Sequence, residues 1–263
     1  MELSTRIKLY EGRETERRLF TNLPIYARLD GINFHNFCHN LKKPYDERLS
    51  NLMVEVTKWL AQKYNANCAY TQSDEISLCW FIEDYNTEMC FNGKIQKLIS
   101  HLASKLSVHF NKLLPSYIPE NVDKDPCFDA RVFNLPNLNE VCNTMLFREL
   151  DATSNSIQMA GQAYYSHKQL YKKNSSEIQE MLFQKGINWN DYPMFFKRGT
   201  FIIKKKTLQK FDKIEDLPLN HEARKNPDLM VERTQYIECD MPPFSKVVNR
   251  EKVLFYGEEP QII

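Results

Sequence analysis

Three observations predict an α+β fold with a ferredoxin-like βαββαβ core for this chain of 263 residues. Apolar residues alternate between period 2 and a period near 3.6, in the order strand, helix, strand, strand, helix, strand. Only Ser73 and Asp74 separate the two middle strands, which makes them a hairpin. The length gives ample material for a core.

The elements follow in order. Residues 5–19 read as a charged helix with Tyr10 and Leu19 on a thin apolar stripe. "IYARLDG" is a short strand stopped by Gly31. "YDERLSNLMVEVTKWLAQKYN" is the clearest helix, with Leu49, Leu52, Met53, Val56 and Leu60 on one face. It starts after Pro44 with Asp46 and Glu47 in its first turn, as the helix dipole favours. "CAYTQ" and "EISLCWFI" are the hairpin strands. A second helix runs from about Met89 to Leu113, and "CFDARVFNLP" is a strand closed by Pro136. Beyond it, residues 138–150 and 151–170 predict two helices, and "SEIQEMLFQKG" a third stopped by Gly186. "MFFKRGTFIIKKKTLQ" predicts a late hairpin. The tail from about Asp212 is expected to be irregular, with strands near 230 and 253.

Composition excludes several classes. Charged residues are 26% and the net charge is +1, so no global field marks a nucleic-acid binder, although a local basic face is compatible with that balance. The seven cysteines are odd in number and contain no CxxC pair, which argues against a zinc site and a disulfide framework. They predict reduced thiols and a cytoplasmic protein, or a mitochondrial one in a eukaryotic host. No signal-peptide h-region and no run of ~20 apolar residues is present, so no membrane association is expected.

Asp30 ends the first predicted strand and Asp74 stands at the hairpin tip. In a βαββαβ sheet these strands are central neighbours, so the two carboxylates can converge at one edge. Such a pair repels unless a cation holds it, and hard oxygen ligands suit Mg²⁺. Two ions ~3.5–4 Å apart are a common device for phosphoryl transfer. Gly31 lets the backbone approach a metal or phosphate. Backbone N–H groups of "GINFHN" could cradle a triphosphate, with His35 near a phosphate. Ser73 could hold a phosphate, and Glu75 could serve as metal ligand or base. Ordinary turn residues are the competing reading for each aspartate alone. Lys42, Lys43 and Arg48 could neutralise phosphate. Lys94, Lys97, Lys105 and Lys112, then Arg131 and Arg148, then His167, Lys168, Lys172 and Lys173, then Lys197, Arg198 and Lys204 are basic positions that could meet a long polyanion. Solvated faces are the simpler account of each alone.

"RLDGINFHNF", "KKPYDERL" and "YTQSDEISL" together resemble the tRNA(His) guanylyltransferase superfamily of 3′–5′ nucleotide polymerases. "CFDARV", "FRELDATSNSI" and "YPMFFKRGT" extend the resemblance in order, over residues 5–205. It implies a polymerase-palm catalytic core over 1–136, with the helical and hairpin extension of 137–263 packed on it as one globular unit. It implies two Mg²⁺ held by the carboxylates of Asp30 and Asp74 and the Gly31 carbonyl. Asp30, Gly31, Ile32, Asn33, Phe34, His35, Ser73 and Asp74 should line a nucleoside triphosphate. Lys43 and Asp46 should lie near a second nucleotide, ATP or GTP, that activates the RNA end. Lys94, Lys97, Arg131, Asn155, Lys197, Arg198 and Lys204 should contact tRNA, and the assembly should be a homotetramer built as a dimer of dimers. Two positions depart from the eukaryotic pattern. Ile32 replaces an arginine, and "TSNSIQM" at 153–159 replaces "HINNLYN", keeping only Asn155. That resembles the bacterial-type branch, which implies template-dependent 5′-end repair or editing of tRNA. The alternatives are addition of G to histidine tRNA, a palm-type nucleotide cyclase and a non-catalytic RNA-binding paralogue.

Overall fold

The computed structural model describes residues 1–84, 87–211 and 213–262. Asp212, where the expected tail begins, lies outside the described residues. Helix α1 (Leu3–Thr15) precedes the core. Strand β1 (Ile25–Gly31), the short helix α2 (Phe34–Phe37), helix α3 (Glu47–Lys63), strands β2 (Cys68–Gln72) and β3 (Glu75–Trp80), helix α4 (Ile95–Tyr117) and strand β4 (Phe128–Asn134) follow. They form the expected βαββαβ unit. Every strand pairs antiparallel, in the order β4–β1–β3–β2.

Period 2 gives the sheet two different faces. Ala27, Leu29, Ile76 and Leu78 point to one face, where α3 and α4 cover them with Leu52, Val56, Leu102 and Phe110. Tyr26, Tyr70 and Cys79 point to the other, where helix α5 (Leu138–Tyr164) covers them with Val141 and Met145. The face under α3 and α4 is apolar, whereas the α5 face becomes polar toward one end of the sheet, where Arg148 and Glu149 are buried.

α5 is one helix of 27 residues, where the sequence predicted two. Its apolar stripe is interrupted by buried Arg148 and Glu149, because at that point it crosses from the sheet to a separate small core. That core joins Ile157 and Ala160 to Ile178, Leu182 and Trp189, through α6 (His167–Leu170) and α7 (Ser175–Phe183).

The late hairpin predicted at 194–209 is instead a single helical turn, α8 (Met194–Arg198), followed by one long strand, β5 (Thr200–Lys210). Gly199, at φ 74°, makes the change of direction, and a Cβ there would stand 2.5 Å from the Thr71 carbonyl oxygen. β5 pairs with β2, and with β6 (Met230–Cys239) it extends the sheet to six strands. Past Ile203 this β5–β6 ribbon leaves the core and its residues are mostly exposed. A short helix, α9 (Glu222–Lys225), lies in the connection between them. The strand expected near 253 is helix α10 (Arg250–Tyr256), whose Val253 and Leu254 pack beside α5. α4 begins at Ile95 rather than Met89, since Phe91 and Asn92 take left-handed backbone before Gly93. Leu19 lies beyond α1 and is buried, but Tyr10 is exposed, and no residue of α1 is buried.

Candidate active site

Strand register places the chemistry. Asp30 stands opposite Glu75 on β3 and opposite Asp129 on β4. The hairpin tip folds onto β1, with Gly31 N–H donating to the Asp74 carbonyl at 3.2 Å. Asp30 and Asp74 therefore adjoin at the end of the two central strands. Gln72 and Glu75 close a two-residue turn, and Ser73 sits at φ 50°. Gly or Asn is the usual choice there, and a left-handed serine costs on the order of 1 kcal/mol. The Thr71 hydroxyl braces the turn by donating to the Glu75 carbonyl at 2.9 Å.

Burial raises the Asp74 carboxyl above its ordinary range, and the Asp30 charge raises it further, against hydrogen bonds from its own backbone and Ser73. Neither aspartate has an ion-pair partner among the described residues. Two adjoining carboxylates in one cleft are hard oxygen donors that fit divalent cations.

Gly31 is required sterically: a Cβ there would come within 2.2 Å of the Phe34 ring. Phe34 itself is turned away from the cleft and buried against Phe37, Phe110 and Phe128. Its side chain therefore anchors the loop and takes no part in the expected nucleotide lining, to which only its backbone is left. Ile32, Asn33 and His35 are exposed, and none of residues 31–35 is among those lining the cleft.

The cleft has a volume of about 640 Å³ and three walls. The floor carries Arg28, Asp30, Ser73 and Asp74. One wall is the 38–50 segment with Cys38, Lys42, Lys43 and Tyr45, and the other is α5 with Asn155, Gln158 and Gln162. Asp46 shapes the first wall. It caps α3 by accepting from Arg48 N–H at 3.0 Å, accepts from Lys42 N–H at 3.3 Å, and receives the Arg48 guanidinium at 3.0 and 2.8 Å. The Arg48 hydrogen bond holds its carboxyl below the usual range. Tyr45 packs on Phe196 and Phe195 of α8, with ring centroids 4.8 and 5.3 Å apart, forming an aromatic end wall.

Glu75 departs from its expected part as metal ligand or base. It is 5% exposed and held by a two-pronged pair: Arg148 Nε and Nη2 each donate to it at 2.7 Å. Arg28 Nε lies 3.7 Å away, and Arg148 continues to Asp151 at 2.9 Å. Burial pushes the Glu75 carboxyl up while the Arg148 bonds oppose it. Its oxygens are committed to fixing the tip against α5.

The expected RNA contacts separate. Asn155 lines the cleft and donates to Asp151 at 3.3 Å. Lys197 is buried, its ammonium donating to the Asn190 carbonyl over the Trp189 ring, so it is a structural residue and not a phosphate contact. Lys94 pairs with Glu16 at 3.7 Å and, with Lys97, starts α4 at the opposite end of the sheet. Arg131 lies on the open side of β4 beside Asp129, at 3.6 Å. Arg198 borders a smaller cavity with buried Glu149, and Lys204 donates to Asn65 at 2.7 Å. Arg28 was not singled out from the sequence, yet its place two residues before Asp30 on one strand puts it on the same face.

The fold and site are those of a nucleotidyltransferase built on an α+β sheet with paired acidic residues. Residues 4–136 match the family model Thg1, tRNAHis guanylyltransferase. The tRNA(His) guanylyltransferase of Saccharomyces cerevisiae is 31% identical over 210 residues, covering 73% of this chain and 87% of that protein. A bacterial tRNA(His) guanylyltransferase-like protein solved in complex with ATP aligns with a TM-score of 0.79 at 32% identity, over 96% of this chain and 97% of that one. Its counterpart in complex with GTP aligns at 0.72 and 29% identity, over 93% and 94% of the two chains. The chain belongs to the tRNA(His) guanylyltransferase family.

Proposed function

We propose that this protein adds nucleotides to the 5′ end of tRNA in the 3′–5′ direction, against a template, for 5′-end repair or editing. The observation that carries this reading is the unpaired Asp30–Asp74 couple at the floor of a cleft walled by lysines, amides and aromatic rings. Asp30, Asp74 and the Gly31 carbonyl would hold two Mg²⁺. Bound there, the ions supply a lowered pKa for the attacking hydroxyl and charge neutralisation for the triphosphate. Ser73 and the 31–35 backbone, with His35, face the triphosphate of the incoming nucleotide. Lys43, on the loop that Asp46 organises, faces the second nucleotide, ATP or GTP. The Tyr45–Phe195–Phe196 wall offers a stacking surface for a base, and Asn155, Gln158 and Gln162 offer amides to its edge.

The RNA end is activated as a 5′-adenylate or a 5′-triphosphate. The 3′-hydroxyl of the incoming nucleotide attacks the 5′ phosphorus, and AMP or pyrophosphate leaves. The protein provides no nucleophile, and its part is positioning and charge stabilisation. Base choice comes from pairing with the opposite strand. "TSNSIQM" in place of "HINNLYN" supports this over dedicated G addition to histidine tRNA. A homotetramer is supported by α1, which buries nothing in one chain while exposing Leu3, Ile7, Leu9 and Tyr10. Among the described residues no helix is long and apolar enough to cross a membrane. The free cysteines support a cytoplasmic or mitochondrial setting.

The test is nucleotide addition to 5′-triphosphorylated tRNA lacking its first nucleotide. Asp30→Ala and Asp74→Ala should each lose far more than tenfold in rate while remaining folded. Retention of more than about a tenth of the rate, a loss of only ~1.4 kcal/mol, would remove the two-metal assignment.

A further inference from the structure

Past the cleft, α5 continues toward a segment that the proposed chemistry leaves unused. "SHKQLYKK", residues 166–173, holds His167, Lys168, Lys172 and Lys173 and no carboxylate. Lys173 is tied to Glu177 at 2.7 Å. Lys168 and Lys172 have no carboxylate partner among the described residues, and both are exposed. Between them Tyr171 is 64% exposed. Its ring lies 5.4 Å from the Lys172 ammonium and 6.4 Å from the His167 ring. Lys172 takes φ 61°, a conformation that costs a non-glycine residue on the order of 1 kcal/mol or more. An exposed aromatic ring contributes little to folding, and a strained lysine beside it opposes folding.

The segment begins just past the last cleft residue of α5. α5 ends at Tyr164, two residues past Gln162, the last α5 residue lining the cleft, and Leu170 of α6 folds back to 3.3 Å from where a Cβ on Gly161 would stand. From Asp151 at the floor end to the helix end at Tyr164 the rise is ~20 Å, about six steps of a stacked strand.

Resting on the function proposed above, we propose that residues 166–173 bind single-stranded RNA, namely the unpaired 3′ strand opposite the 5′ end being extended. A 5′-truncated stem leaves its partner nucleotides unpaired, and the strand that carries the template must leave the cleft. A flat exposed ring accepts any unstacked base, and free ammonium groups accept the phosphates between bases. A closed duplex presents no such base to Tyr171.

The experiment uses the full chain and 5′-triphosphorylated RNA hairpins with and without a 3′ overhang, followed by fluorescence anisotropy across a salt series. The wild type should bind the overhang hairpin more tightly. Tyr171→Ala should lose about tenfold on the overhang hairpin and little on the blunt one. Lys168→Ala and Lys172→Ala should each flatten the log–log salt slope by about 0.7. In turnover, the KM for overhang RNA should rise while kcat holds. An overhang-to-blunt ratio unchanged in a Lys168→Ala, Tyr171→Ala, Lys172→Ala triple variant would overturn the proposal, as would equal wild-type binding of both hairpins. If instead the wild type extended neither hairpin, the functional reading would fail, and the strand assignment with it.

Discussion

Glu75 lines the cleft with its oxygens already committed to arginine. The Arg148 fork meets it with two charge-assisted bonds, and such pairs are strongly destabilising to break one partner at a time. Glu75→Gln should cost about 3 kcal/mol in urea unfolding and lower kcat. A Glu75→Leu, Arg148→Met double variant should recover most of the stability, since apolar groups replace both charges. Its activity should stay low if the pair positions Asp74, and full recovery of activity would reduce the pair to a packing role. Gly31 makes a second residue-scale case. Gly31→Ala drives a methyl group into the Phe34 ring, whose neighbours are themselves buried. The expected cost is ~1–3 kcal/mol, with loss of nucleotide addition. Wild-type thermal stability and rate in this variant would show that the loop moves freely.

At the scale of elements, α3 owes its start to Asp46. Asp46→Ala removes a cap worth ~1 kcal/mol and charged bonds to Arg48, for an expected total of about 2 kcal/mol. The folded carboxyl sits below its unfolded value, so its contribution is present above ~3.9 and is lost as pH falls through the folded pKa. The wild-type advantage over Asp46→Ala should therefore shrink on acidification through that range, as followed by urea melts. The βαββαβ order was legible because each element carries its own period, and Asp30 and Asp74 were legible because topology alone brings strand ends together. The continuity of α5 was not, because its apolar stripe breaks where Arg148 crosses to Glu75, a contact 73 residues away. β5 reads in the sequence as half of a local hairpin because its partner β6 lies across the 211–229 connection. Lys197 has a surface residue's charge, and only the Trp189 turn beneath it makes it a buried one.

For the whole molecule, the proposed assembly turns on α1. A 13-residue helix is marginal alone in water, so it needs a partner surface. Replacing Ile7 and Tyr10 together by Lys should lower the solution mass measured by light scattering. An unchanged mass would place the subunit contacts elsewhere. The β5–β6 ribbon carries a different consequence. Its outer half stands clear of the core, and Leu219 in its connection is 87% exposed. Chain at such a tip tolerates insertion. A dye or a small reporter domain placed at Leu219 would ride on a stalk that begins beside β2 and ends away from the cleft. The enzyme could then be tethered to a surface and watched one molecule at a time, with its substrate entrance left open.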